Sequence, residues 1–184
     1  FFEETLFVTP SRHPTEVQQE AIRLSAEAAA AIGLEMGPVH AEVRIGPNGE
    51  CFLIELAARS IGGLCGRALS FGLLGESLEV LILRSALGLP SPYASPARPA
   101  TGVLMLTIPA TGTLTGVTGL DQARQIPGVD DITITIATGR GVEKLPEGDR
   151  YLGFVFAGGP DPDSVEDTLR RAGNELAITI DGEE

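Results

Sequence analysis

The sequence predicts an α+β fold in two units, antiparallel strands with helices over residues 1–90 and a small strand-rich α+β domain over 101–184. Three observations carry this. The apolar residues switch repeatedly between a period of two and a period of three to four. A stretch with four prolines, PSPYASPARPA, interrupts both patterns and reads as a semi-rigid linker at 91–100. At 43% hydrophobic and 21% charged residues in 184, the chain has enough apolar content to bury one or two modest cores.

The β-branched and aromatic opening FFEETLFVTPS predicts a strand ending at Pro10. Pro14 and Thr15 then start an amphipathic helix in which Val17, Ala21, Leu24, Ala28 and Ile32 share a face, and Gly33 stops it. Val39, Ala41, Val43 and Ile45 alternate with His40, Glu42 and Arg44. After the turn Gly46-Pro47-Asn48-Gly49, Phe52, Ile54 and Leu56 alternate with Leu53, Glu55 and Ala57, so the pair reads as a hairpin. Gly62, Gly63 and Gly66 make the next segment a loop, and SLEVLILRSALGL at 77–89 a second helix. Beyond the linker, strands are expected at 101–109, 113–120, 131–138 and 150–158. A short helix at 120–126, a longer one at 163–176 and a last strand at AITI complete the second unit. The acidic PDPDSVED is the start of that longer helix, where carboxylates meet the positive end of the dipole, and Gly139-Arg140-Gly141 reads as a tight loop.

A formal net charge of −12, with only 13 Lys and Arg spread along the chain, argues against a nucleic-acid surface and favours small-molecule work. No apolar run is long enough to span a bilayer, and the N-terminus lacks the features of a signal peptide, so a cytoplasmic, non-membrane protein is the default expectation. Cys51 and Cys65 have neither CxxC spacing nor a histidine cluster and are read as free thiols, with Cys65 packed in the glycine loop. The chain starts at Phe1 and its first methionine is Met36, which suggests a piece of a larger protein.

Residues two apart in a strand share a face, so His40, Glu42 and Arg44 form one row and Glu55, Ala57 and Arg59 a like row on the paired strand. Two carboxylates that converge in this way suit Mg²⁺, which takes one or two protein carboxylates and completes its shell with phosphate and water. Arg59 would meet a phosphate or carboxylate bidentately, and the glycines after it would let backbone N–H groups approach an anion. On spacing alone, the same alternation also describes a solvated hairpin face with cross-strand ion pairs. His40 is a weaker candidate for substrate contact.

The run GPVHAEVRIGPNGECFLIELAARSIGG resembles the end of an ATP-grasp domain, and its HxE, glycine turn and E-x-x-x-R-x-x-G-G are most similar to the L-amino-acid ligase group, carboxylate–amine ligases related to biotin carboxylase. The resemblance implies that residues 1–90 are the C-terminal lobe of an ATP-grasp domain and 101–184 the small C-terminal domain of such ligases. It implies ATP and Mg (or Mn) as cofactors and small-molecule carboxylate and amine substrates, joined as an amide or peptide through an acyl phosphate. Glu42 and Glu55 match the metal-binding glutamates, and Arg59 matches the catalytic arginine that holds the phosphate and the acyl phosphate. Nucleotide contacts fall on Glu42, Glu55, Arg59, Gly62 and Gly63. Ala57 departs from the pattern, standing where many members carry a metal-binding Asn, which puts a second metal in doubt. Other ATP-grasp enzymes (carbamoyl-phosphate-synthetase-like, biotin-carboxylase-like or purine-pathway ligases) and a non-catalytic binding module remain as alternatives.

The resemblance further implies that the nucleotide-covering lobe, with its glycine loop and lysines, would precede Phe1, since the sequence holds a single lysine, Lys144, in the second unit. The chain alone is therefore expected to be catalytically incomplete. Apolar surface at Phe1, Phe2 and Phe7 would then be left uncovered, and self-association would bury it.

Overall fold

The computed structural model describes residues 4–71, 75–90 and 98–182. Phe1 and Phe2, and residues 91–97 of the expected linker, lie outside the described residues. The chain is α+β, and among the described residues every strand pair is antiparallel, as the apolar periodicity predicts.

The first strand, β1 (Leu6–Thr9), stops before Pro10, and α1 (Thr15–Ala31) follows. At its end Gly33 takes φ +80°, a left-handed conformation that frees the Gly33 and Leu34 N–H groups to cap the Ala30 and Ala29 carbonyls. The hairpin forms from β2 (His40–Ile45) and β3 (Cys51–Ala57), with α1 packed on β3. Two short helices come next, α2 (Arg67–Phe71) and α3 (Leu78–Ala86), the latter capped by the Ser77 hydroxyl, which accepts from the Val80 N–H.

In the second unit, β4 (Ala100–Leu106), β5 (Gly112–Thr118), α4 (Leu120–Arg124), β6 (Val129–Ile134), β7 (Gly141–Val142), β8 (Gly153–Gly159), α5 (Pro162–Glu175) and β9 (Ala177–Asp181) follow in order. Asp161 and Ser164 make a reciprocal capping box at the start of α5, with Pro162 in its first turn. The Gly139–Gly141 turn is held to β5, Gly139 donating to the Leu114 carbonyl at 2.7 Å and Leu114 to the Arg140 carbonyl at 3.0 Å.

Three strands of the main sheet come from the second unit and one from the first, in the order β1-β4-β8-β6. One face of this sheet packs on α5 through Val165, Leu169 and Ala172. The other carries Val103, Met105, Phe154 and Phe156, on which Cys65 and Ala68 close from the glycine loop and α2. Strand pairing and packing thus both cross the 91–100 stretch. Phe7, expected to be uncovered, is half-buried against that second cluster, because β1 is laid along β4 with Phe7 opposite Val103.

The hairpin differs from simple alternation in one respect. Glu42 pairs with Glu55, but Val43 pairs with Leu53, so Ile54 is an extra residue in a bulge. The extra residue reverses the parity of β3. Cys51 and Leu53 turn towards the α1 side, with the Cys51 thiol 3.7 Å from the Val17 carbonyl, while Phe52 and Ile54 are more than half exposed. The apolar face expected from Phe52, Ile54 and Leu56 is therefore split, and only Leu56 keeps partial cover.

Candidate functional site

The bulge places His40, Glu42, Glu55 and Ala57 on one side of the hairpin in two directly opposed pairs, His40 with Ala57 and Glu42 with Glu55. At an antiparallel pair, opposed side chains are about 5 Å apart at Cβ, so the two carboxylates repel unless a cation lies between or beside them. Arg59, four residues past Glu55, supplies one such cation: its Nη2 donates to Glu55 Oε1 at 3.2 Å, while Nη1 donates to the Ser60 carbonyl at 3.1 Å. His40 Nε2 stands 3.4 Å from Glu42 Oε1.

These residues edge a cleft of about 540 Å³. Its hairpin side holds His40, Glu42, Arg59, Gly62 and Gly63, and its far side Thr135, Asp149, Arg150 and Tyr151 from the second unit. Glu55 stands outside the lining, reaching the cleft through its bond to Arg59. Of the residues singled out in the sequence, the structure brings Glu42, Arg59, Gly62 and Gly63 to one cleft and keeps Glu55 on the hairpin face at its rim.

The two glycines differ in role. A Cβ added to Gly62 would meet nothing within 4 Å, leaving open room beside the loop, whereas Gly63 has φ +60° and its Cβ would lie 2.9 Å from Phe154 Cζ. The ring of Phe154 in turn stacks on Phe156 and meets Tyr151 edge-on. Arg67 clasps the loop to the second unit. It donates to Asp131 Oδ2 at 2.8 Å and Thr133 Oγ1 at 3.1 Å, and lies 4.8 Å over the Phe156 ring. Burial pushes the Asp131 carboxyl upward, but bonds from Arg67, Thr133 and the Ile132 N–H more than offset it and hold the group below its ordinary range.

Glu4 was not legible as a site residue, yet it lines the cleft beside His40 and Glu42, its backbone carbonyl accepting from the Tyr151 hydroxyl at 2.7 Å. Its carboxyl is raised above the ordinary value by desolvation first and then by the charge of Glu42, with His40 opposing and Glu55 adding. Because the folded-state pKa is raised, the stability this group contributes is complete below the unfolded carboxylate range and is lost as pH rises through the folded value. Glu4→Gln is thus expected to stabilise the fold at pH 7.5 by about a few tenths of a kcal/mol once solvent screening is allowed for, and so to raise the thermal midpoint. The gain should shrink towards zero at pH 3.5; a lowered midpoint at pH 7.5 would contradict the assignment.

The same crowding of carboxylates is what a hard divalent cation relieves. Among the described residues no group of three or more His, Cys, Asp or Glu side chains is arranged to hold a metal unaided. The donor set fits a cation that takes one or two carboxylates here and the rest of its shell from phosphate and water.

Cys65 is buried in the loop with its thiol 3.5 Å from Met105 Sδ, and desolvation, then the charge of Glu4, pushes its pKa up to about 11. At pH 8 it should react with a disulfide reagent about a hundredfold more slowly than an ordinary thiol. Titration of the native chain at pH 8 should show Cys65 modified only after denaturant is added; rapid modification of both thiols would sink this.

Residues 1–68 match the family model described as the ATP-grasp domain, and residues 104–181 match that of the L-amino acid ligase C-terminal domain 2. The chain is an ATP-grasp segment joined to an L-amino acid ligase C-terminal domain. The cleft lies between them. A curated relative, the uncharacterized protein y4rH of Sinorhizobium fredii (strain NBRC 101917 / NGR234), is 25% identical over 178 residues, 93% of this chain and 35% of the relative. The L-amino acid ligase from Bacillus licheniformis superposes with TM-score 0.83 at 24% identity, over 99% of this chain and 45% of that one. Phosphoribosylglycinamide synthetase from Anaerococcus prevotii superposes with TM-score 0.77 at 16% identity, over 96% and 45%. The chain therefore spans less than half the length of each. Among the described residues no helix is long and apolar enough to cross a membrane.

The sequence could not have pointed to Glu4, Asp149, Arg150 or Tyr151 at this cleft. They sit in turns or beside short strands, and only the β1–β4 pairing and the loop before β8 bring them to it.

Proposed function

We propose that this chain supplies one wall of the active site of an ATP-dependent carboxylate–amine ligase. In that reaction a carboxylate oxygen takes the terminal phosphoryl group of ATP, releasing ADP. An amine nitrogen then attacks the acyl carbon, and phosphate leaves as the nitrogen gives up a proton. The observation that carries the reading is the opposed pair Glu42 and Glu55 with Arg59 bonded to it, at the edge of a cleft that also receives Gly62 and Gly63. Glu42 and Glu55 would hold Mg²⁺ or Mn²⁺. The bound metal would supply charge neutralisation at the phosphates, where most of the catalytic effect in phosphoryl transfer lies.

The Arg59 guanidinium has a planar donor edge that matches a phosphate or carboxylate, so by exchanging its bond to Glu55 for one to an anion it would hold the transferring phosphoryl group and the acyl phosphate. The open space beside Gly62 lets an anion approach the loop backbone. Ala57, opposite His40, offers no donor, so the metal shell draws on the two glutamates alone from the hairpin.

The test is Mn²⁺ binding to this chain, followed by water-proton relaxation with and without ATP. Glu42→Gln and Glu55→Gln should each weaken binding about tenfold, an effect of about 1.4 kcal/mol at each position. Unaltered Mn²⁺ binding in the double variant would overturn the reading.

A further inference from the structure

Gly63 and Arg67 seat the glycine loop on two neighbouring rings of β8. Gly63 lies against Phe154, where an added Cβ would fall 2.9 Å from Cζ, and the Arg67 guanidinium lies 4.8 Å over Phe156. The β6–β8 register puts Thr133 opposite Phe154 and Asp131 opposite Phe156, so two polar partners of Arg67 stand beside the same two rings. Asp131 is already held from its own strand, Oδ1 accepting from the Ile132 N–H at 2.8 Å and Oδ2 from the Thr133 hydroxyl at 3.1 Å. The carboxylate is oriented before the loop reaches it, and it loses little further freedom when Arg67 docks.

Asp130, next to it, is the extra residue in the β6 bulge; its Oδ1 accepts from Arg98 Nη1, and its side chain is only 10% exposed. Adjacent carboxylates of β6 thus hold two arginines, one at each end of the segment that carries α2 and α3. Of the two, Asp131 is the one tied to the glycine loop. With 36% of each side chain exposed, the Arg67–Asp131 bond is within reach of water and can open without unfolding the core beneath it. Cys65, two residues before Arg67, is buried under the closed loop against Met105.

We infer that Asp131 is a positioning residue for the cleft: its bond to Arg67 holds the glycine loop down, and release of that bond lets the loop lift from Phe154 and Phe156 and uncovers Cys65. The second unit thereby sets whether Gly62 and Gly63 stand at the cleft edge. That the loop so placed receives phosphate rests on the proposed ligase reaction; the hold on the loop does not.

The experiment follows modification of Cys65 by a disulfide reagent at pH 8, in a Cys51→Ser background so that one thiol reports. Asp131→Asn should speed modification about tenfold, at a rate that stays flat in low urea, because a local opening exposes little surface. Asp131→Glu keeps the charge and should restore most of the protection. Asp131→Asn added to an Arg67→Gln chain should change the rate by less than about twofold, since the bond is already gone. Asp130→Asn, which cuts the other arginine's bond, should leave the low-urea rate within about twofold of the parent. A parent-like rate in Asp131→Asn, or a rise that steepens with urea as global unfolding would give, overturns the inference.

Mn²⁺ relaxation with ATP on the same chains separates the two readings. Where both hold, Asp131→Asn weakens the ATP-dependent part and leaves Mn²⁺ binding itself unchanged. Faster Cys65 modification in Asp131→Asn, with no ATP-dependent relaxation in the parent, supports the hold and removes phosphate from the loop. ATP-dependent relaxation in the parent with a parent-like Cys65 rate in Asp131→Asn removes the hold alone.

Discussion

Phe156→Ala is expected to destabilise the chain by about 3–5 kcal/mol, the range for deleting a fully buried aromatic ring. Phe156 has no solvent exposure and sits at the centre of the cluster that joins the two units. Its ring stacks on Phe154, and Arg67 lies over it while bonding to Asp131. The deletion therefore removes both the packing under the glycine loop and the surface on which the Arg67 clasp rests. For a chain of this size each kcal/mol moves the thermal midpoint by about 2–4 °C, so a fall of roughly 10 °C is expected by calorimetry. Phe156→Leu, which fills most of the volume, should recover more than half of it. A shift of under about 2 °C for the alanine variant would mean that the two units do not share this core.

That shared core also marks where sequence reading stops. The hairpin, α1, α5 and the strands after the linker were legible because each is written in local periodicity with its own punctuation: Gly33 ends α1, Gly49 at φ +88° turns the hairpin, and Asp161 with Ser164 opens α5. The pairing of β1 with β4 carries no such local mark, because its partners lie almost a hundred residues apart and either strand reads the same with any neighbour. The bulge at Ile54 is equally silent. One inserted residue leaves an unbroken run of strand formers yet turns Phe52 and Ile54 outward. The two-residue β7 and five-residue α2 are too short to show a period at all.

The candidate site divides along the same line. Glu42, Glu55 and Arg59 lie within twenty residues on one hairpin, so their faces follow from strand geometry once the turn is known. Glu4, Asp149 and Arg150 reach the cleft only through tertiary packing, and their charges, read in the sequence, look like any others beside a turn.

Gly63→Ala is expected to cost about 2–5 kcal/mol and to close part of the cleft. Two effects add. At φ +60° an L-residue pays about 1–2 kcal/mol for the left-handed backbone, and the new Cβ, 2.9 Å from Phe154 Cζ, must push a ring already held between Tyr151 and Phe156, an overpacking cost of about 1–3 kcal/mol. Relief by ring movement would disturb Tyr151, whose hydroxyl fixes the Glu4 backbone beside Glu42, so the strain would pass from the loop to the acidic edge of the cleft. Gly62→Ala supplies the control, since its Cβ enters open space and the fold should lose little, while the room for an anion beside the loop shrinks. The two variants thus separate stability from binding. Gly63→Ala should lower the thermal midpoint by about 4–20 °C, whereas Gly62→Ala should leave it within a few degrees and weaken the ATP-dependent part of Mn²⁺ binding. Equal midpoints for the two variants would show that the Gly63–Phe154 contact does not set the loop, and undiminished ATP-dependent binding in Gly62→Ala would remove the loop backbone from the proposed phosphate contacts.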